Sequence, residues 1–252
     1  MELEKLNTIY LLGIGGIGMS ALARFFKGKE KTVSGYDKTS TPLTSALISE
    51  GIKVHFKEQP ELIPENTDLV IYTPAIPPDN KEFLHVKDNS FPLLKRSEVL
   101  GILTQSGYTI AVAGTHGKTT ITSLITHLLV CSEKNPTAFV GGISKNINSN
   151  FITSDNSDIY IVEADEYDRS FLQLNPDIAI ITSIDPDHLD VYKTTNYLHE
   201  SFYLFKRQIK DSGTLIRHIS ISLPENNCKH EYTYGLTENA DIFAKNILIQ
   251  HG

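Results

Sequence analysis

Twice in this sequence a short apolar run closes on glycines and opens directly into a helix-forming segment. The first junction is Gly13-Ile14-Gly15-Gly16-Ile17-Gly18 and the second is Gly114-Thr115-His116-Gly117-Lys118-Thr119-Thr120. A strand that turns straight into a helix is half of a βαβ unit, and two such units place the chain among α/β proteins with mostly parallel sheets. Each junction also suits an anion. Glycines let the backbone wrap the ligand, and the helix that follows offers N–H groups and the positive end of its dipole.

The pattern between the junctions is a regular alternation. Residues 8–12 form an apolar run and residues 17–26 are helix-forming and mostly apolar. Residues 32–34 lead through Gly35 and Tyr36 to Asp37 as a second strand, and 43–50 reads as a helix stopped by Gly51. Further strands are expected at 52–56 and 69–72. The stretch Thr73-Pro74-Ala75-Ile76-Pro77-Pro78 carries three prolines, which fix φ and remove donors, so it reads as a rigid loop at a strand's C-terminal end. Ligand-binding loops of open α/β sheets lie there.

A fresh strand at 108–113 begins the second unit, followed by a helix from about residue 119 to 130. Strands at 159–163 and 178–184 each end in acidic clusters, and 197–209 has the apolar spacing of an amphipathic helix. Its stretch Phe202-Tyr203-Leu204-Phe205 reads as that helix's core face. The expected organisation is a Rossmann-like parallel-sheet domain over 1–107 and a P-loop ATPase-type α/β domain over 108–252. Beyond Asp211 only short strands, such as 232–234 and 241–249, are expected. No closing element follows them, so the second domain is expected to be incomplete.

Composition narrows the function classes. With 30 acidic against 23 basic residues the formal charge is −7, which argues against a nucleic-acid binder that works through a general basic surface. The two cysteines, Cys131 and Cys228, are too few for a disulfide framework or thiolate metal site and fit a reducing compartment. No apolar run approaches the ~20 residues needed to span a bilayer. Residues 1–7 are polar and of mixed charge, unlike a signal peptide. These features predict a cytoplasmic protein with no membrane partner.

The first junction is a G-x-G-x-x-G loop, and Asp37 follows at the end of the second strand, where a ribose-binding acid sits in NAD proteins. A nicotinamide dinucleotide and a UDP-sugar cannot be told apart by this loop. The second junction ends as a P-loop does, but the common form needs glycine at 112, where this chain has Val112. In this shortened loop Lys118 can reach the β and γ phosphates of ATP, the Thr119 hydroxyl can ligate Mg²⁺, and His116 lies near the nucleotide. Such chemistry also needs a metal carboxylate, and Glu163 stands at the end of the run Ile159-Tyr160-Ile161-Val162. Asp165, Glu166 and Asp168 are weaker candidates, because an acidic loop is usually a solvated face. His188, among Asp185, Asp187 and Asp190 after another apolar strand, is expected beside the metal or the γ-phosphate.

Taken together these residues resemble the Mur ligase family of peptidoglycan synthesis. The resemblance is carried by Leu12-Gly13-Ile14-Gly15-Gly16-Ile17-Gly18-Met19-Ser20, by the loop 114–120, by Glu163-Ala164-Asp165-Glu166 with Ser170-Phe171-Leu172, and by Asp187-His188-Leu189-Asp190. It runs over essentially the whole chain. It implies that the first domain binds the UDP part of a substrate through Gly15, Gly16, Ile17 and Gly18, with Asp37, Thr73, Ala75 and Ile76 near the nucleoside. It implies MgATP in the second domain, on Gly114, Thr115, His116, Gly117, Lys118, Thr119 and Thr120, with Thr119, Glu163 and His188 on metal.

The catalytic set implied is Lys118, Glu163 and His188. The reaction implied joins L-alanine to the lactyl carboxylate of UDP-N-acetylmuramate through an acyl phosphate. A third, C-terminal domain that positions the amino acid is absent by this comparison, so binding without ligation is expected of these 252 residues. Two other readings stay open: a ligase that recycles murein tripeptide onto the same UDP-sugar, and an NAD-binding regulatory module fused to a P-loop domain. Nothing in the sequence sets an oligomeric state.

Overall fold

In the computed structural model, which describes residues 2–144, 149–154, 157–185, 195–225 and 228–248, the alternating runs build two sheets. Strands β1 (Thr8–Leu12), β2 (Thr32–Tyr36), β3 (Lys53–His55), β4 (Leu69–Tyr72) and β5 (Leu93–Lys95) form a parallel sheet in the order β3-β2-β1-β4-β5. All five residues of β1 are buried, as expected for a central strand with both faces covered. Helices α1 (Ile17–Gly28), α2 (Pro42–Ser49), α3 (Lys81–Asp88) and α4 (Arg96–Thr104) make the crossovers.

Local chemistry sets the helix starts. Thr41 and Thr44 cap α2 reciprocally with Pro42 at its first position, and the Asn80 side chain accepts from the N–H groups of Glu82 and Phe83 to start α3. Neither α3, α4 nor β5 is evident from the sequence pattern.

The second sheet joins β6 (Tyr108–Ala113), β7 (Thr137–Ser144), β8 (Ser149–Ile152), β9 (Ile159–Glu163), β10 (Ile178–Ile181), β11 (Thr214–His218), β12 (His230–Gly235) and β13 (Ile242–Phe243). Its order is β13-β12-β11-β10-β6-β9-β7-β8, parallel throughout except for the antiparallel β7–β8 pair. Among the described residues of the strand expected at 241–249, only Ile242 and Phe243 pair. Helix α5 (Lys118–Cys131) follows β6, and α6 (Thr195–Arg207) buries Leu198, Phe202 and Phe205 as its core face.

The two sheets share one apolar core. Phe25 of α1 meets Phe139 and Phe151 of the β7–β8 hairpin with ring centroids 6.0 and 6.3 Å apart, while Phe171 stacks on Phe205 at 4.9 Å. Burying a phenylalanine contributes about 1.5–3 kcal/mol, so the two units are held together by aromatic burial along α1. On the far face of the first sheet, buried Glu82 accepts from the Tyr10 hydroxyl at 2.5 Å, and burial pushes the Tyr10 phenol up from its ordinary value.

Strand order also locates the ligand edge. β1 lies between β2 and β4, and β6 between β10 and β9, so each glycine junction leaves its sheet where the connections diverge. Crevices at such switch points are the usual ligand sites of open α/β sheets.

Candidate functional site

The first glycine junction is a turn whose own N–H groups are largely engaged. Gly13 and Ile14 donate to the Tyr36 carbonyl, Gly16 donates to the Gly13 carbonyl, and Gly15 donates to Asp37 Oδ2 at 2.7 Å. Gly13 takes a φ of +84°, which favours glycine, and a Cβ there would lie 2.7 Å from Thr73. The donors left for an anion are those of the first turn of α1, Ile17, Gly18 and Met19, which no helix can pair internally. Gly15 and Gly16 thus shape the loop, and the helix end presents the donors.

The first turn of α1 faces a cavity of about 370 Å³ lined by both units, while Gly15, like Asp37, is not on its wall. Gly16, Ile17, Gly18, Thr73 and Ala75 line one side, and Gly141, Glu163 and Asp165 line the other. Asp37 and Ile76 are not on its wall. One Asp37 oxygen is bound by the Gly15 N–H and the other by the Thr39 N–H at 3.1 Å, and Ile76 packs beneath the loop near Gly13.

Arg96 was not evident as a site residue from the sequence. It heads α4 at the C-terminal end of β5, and its Nη1 lies 2.7 Å from where a Cβ on Gly18 would be. Its guanidinium is 3.6 Å from Asp165. A basic residue directly after a parallel strand was the signal available for it.

The second junction meets the end of β10. Gly114 has a φ of +134° and any Cβ would fall 2.1 Å from Thr182 Oγ1. The Thr115 N–H donates to the Ser183 carbonyl at 3.1 Å, the His116 N–H donates to Ser183 Oγ at 2.9 Å, and the Thr182 hydroxyl donates to the His116 carbonyl. Thr182 and Ser183 therefore brace the loop. His116 itself is exposed, and Gly117, at φ +79°, caps α5, whose first-turn donors are Lys118, Thr119 and Thr120.

Two short contacts join this loop to the end of β9. Lys118 Nζ lies 2.8 Å from both oxygens of the fully buried Glu166 and donates to the Gly114 carbonyl at 2.7 Å. The Thr119 hydroxyl donates to Glu163 Oε1 at 2.9 Å, and the Gly141 N–H donates to Glu163 Oε2 at 2.8 Å. Burial raises the Glu163 carboxyl above its ordinary value, more than these two hydrogen bonds lower it.

A half-buried carboxylate beside a hydroxyl is a hard-oxygen pair of the kind Mg²⁺ takes with phosphate oxygens and water, and a cation there would relieve the cost of burying the charge. Among the described residues no group of three or more His, Cys, Asp or Glu is placed to hold a metal. His188 and the Asp168 side chain lie outside the described residues.

Residues 8–108 match the Mur ligase family, catalytic domain, and residues 112–252 match the Mur ligase middle domain. The chain belongs to the Mur ligase family. The UDP-N-acetylmuramate--L-alanine ligase of Phocaeicola vulgatus is 46% identical over 260 residues, a match covering 100% of this Mur ligase chain and 56% of that protein. The chain thus spans little more than half the length of such relatives.

Among solved structures, UDP-N-acetylmuramate-alanine ligase from Thermotoga maritima superposes with a TM-score of 0.80 at 28% identity, covering 92% of this chain and 53% of that one. The UDP-N-acetylmuramate:L-alanyl-gamma-D-glutamyl-meso-diaminopimelate ligase from Neisseria meningitides gives a TM-score of 0.82 at 21% identity, covering 93% and 79%, a likeness of fold alone. Among the described residues of this Mur ligase no helix is long and apolar enough to cross a membrane.

Proposed function

We propose that this chain provides the UDP-substrate and nucleotide sites of a cytoplasmic, ATP-dependent ligase of peptidoglycan precursor synthesis. The ligase joins L-alanine to the lactyl carboxylate of UDP-N-acetylmuramate. The observation that carries the reading is the shared cavity, in which the anion-receiving end of α1 faces Glu163 across about 370 Å³. Relatives 44–46% identical over the whole chain carry the alanine-adding name, which supports that amino acid over a tripeptide.

The chemistry has to overcome two obstacles. A carboxylate is anionic, and its leaving group toward an amine would be oxide. Transfer of the γ-phosphoryl group solves both: a lactyl oxygen bonds to the γ-phosphorus, the bridging bond to ADP breaks, and the amine then displaces phosphate from the acyl carbon.

In this reading the N–H groups of Ile17, Gly18 and Met19, with Arg96 beside them, hold the UDP diphosphate. The first turn of α5 and Lys118 hold the β and γ phosphates of ATP. Thr119 and Glu163 would hold Mg²⁺, with His188 assigned to a second ion. Bound there, the metal neutralises phosphate charge.

Asp37 bears on the NAD alternative. Its carboxylate is turned onto the Gly15 N–H, over the loop rather than outward to a ribose.

Calorimetric titration of the 252-residue chain with UDP-N-acetylmuramate, and in parallel with NAD, tests the reading. Binding of the UDP-sugar alone is the expected result. Binding of NAD alone would overturn it.

A further inference from the structure

Helix α1 presents its phosphate-receiving end to the cavity and lays its flank against the β7–β8 hairpin. Asn150 of β8 stands in the middle of that contact with its side chain wholly buried. All of its amide faces α1: Nδ2 donates to the Ile17 carbonyl at 2.5 Å and to Ser20 Oγ at 3.0 Å, and Oδ1 accepts from Arg24 Nη1 at 2.5 Å. Arg24 is oriented in turn by Glu50, which takes its Nε at 2.8 Å and its Nη2 at 2.7 Å. The same contact of helix and hairpin packs Phe25 against Phe139 and Phe151, and a slip there would break the bonds of a wholly buried amide. A one-residue slip of β8 would turn Asn150 to the opposite face.

The partner strand of the same hairpin reaches the other wall. Gly141 of β7 donates its N–H to Glu163 at 2.8 Å, and a Cβ there would lie 2.3 Å from Glu163 Oε1, so a side chain at this position would displace the carboxylate. One hairpin therefore grips the first turn of α1 at Ile17 and the Glu163 carboxylate at Gly141.

We infer that Asn150 is a positioning residue that locks the α1 N-terminus in register with Glu163, and so couples binding of the UDP-sugar to binding of the nucleotide. The inference rests on the proposed function for the identity of the ligands, but the lock itself is a property of the unliganded chain. Asn150→Asp is the informative variant. It keeps the volume and the Arg24 contact while replacing the donor to the Ile17 carbonyl by an acceptor, so no cavity is created.

In the wild-type chain, saturation with a non-hydrolysable MgATP analogue should change the dissociation constant of UDP-N-acetylmuramate by at least about fivefold, within the usual span of coupling between sites. In Asn150→Asp that change should fall below about twofold while each ligand alone binds within about threefold of wild type. Wild-type coupling retained in the variant, or absent from the wild type, overturns the inference.

Spin labels on exposed Lys53 and Glu238, in a parent with Cys131 and Cys228 replaced by serine, give a readout without ligand. The inter-label distance distribution should be narrow in the parent and broader in Asn150→Asp, and unchanged width overturns the lock. If the UDP-sugar fails to bind the wild type while the distribution still broadens in the variant, the ligand assignment is wrong and the lock stands.

Discussion

Lys118 Nζ sits 2.8 Å from each oxygen of Glu166, a carboxylate with no solvent exposure. The same ammonium donates to the Gly114 carbonyl, so its three hydrogens are all engaged across the loop it belongs to. A phosphate at this loop has to take one of those hydrogens. Lys118 is thus held beside the proposed nucleotide site by an anion of the protein before an anion of the substrate arrives.

Removing the lysine takes its ammonium partner from a fully buried carboxylate. Lys118→Met is expected to lower unfolding stability by about 3 kcal/mol, the lower end for breaking a buried pair from one side. In the full-length ligase it should cut turnover by at least ~10³, the scale on which phosphate-clamping charges act. Urea unfolding and steady-state ligation check the two arms, and near-normal turnover would remove Lys118 from the chemistry.

Glu166→Gln separates the pair's two effects. The amide still accepts from Lys118 but no longer competes as an anion, so MgATP should bind about fivefold more tightly, a change of about 1 kcal/mol. Calorimetry on the chain measures this directly. Weaker binding in the variant would mean that the carboxylate organises the lysine for phosphate rather than competing with it.

The raised Glu163 carboxyl has a definite pH signature. Its contribution to the stability of the unliganded chain is present below its ordinary value of 4.5 and is lost as pH rises through the raised value, because burial penalises the charged form. Mg²⁺ needs the ionised form, so metal-dependent nucleotide affinity should strengthen as pH rises through that same range. Glu163→Gln should abolish this pH slope along with the metal dependence. Titrations with and without Mg²⁺ at a series of pH values read it out.

Glycine is required by space at Gly114 and much less so at Gly16. Gly114→Ala combines a φ of +134° with a Cβ 2.1 Å from Thr182 Oγ1, and should destabilise the chain by at least about 3 kcal/mol. Gly16 has a φ of −64°, and its Cβ would meet the Gly13 carbonyl at 3.4 Å and Met19 Cγ at 3.7 Å, both at or near ordinary contact, so Gly16→Ala should unfold near the wild-type urea midpoint. Equal losses in the two variants would contradict this difference in geometry.

Much of the candidate site was legible because its parts are local. The strand-glycine-helix junctions, the Lys118-Thr119 pair at the start of α5 and Glu163 at the end of β9 each depend on residues within one turn or one strand. The short strand β5, helices α3 and α4, and the β7–β8 hairpin were not read. Their apolar patterns are brief, and their pairing is decided by neighbours distant in sequence. Within the described part of the expected strand 241–249 only two residues pair, for the same reason, since β-propensity forms a strand only where a sheet edge accepts it.

The sequence by itself determined the α/β class, the positions of the two strand-glycine-helix turns proposed to receive anions and the residue types proposed to hold a nucleotide and its metal. These follow from periodicity and from what glycine, lysine and threonine can do at a helix start. Only the tertiary structure decided which charges meet there. Glu166 reaches Lys118 across 48 residues and Asn150 reaches Ile17 across 133, while Arg96 enters the cavity from a helix with no motif of its own. Contacts of that range depend on how two sheets pack along α1, a global balance of buried area and matched polar groups that no local window of sequence contains.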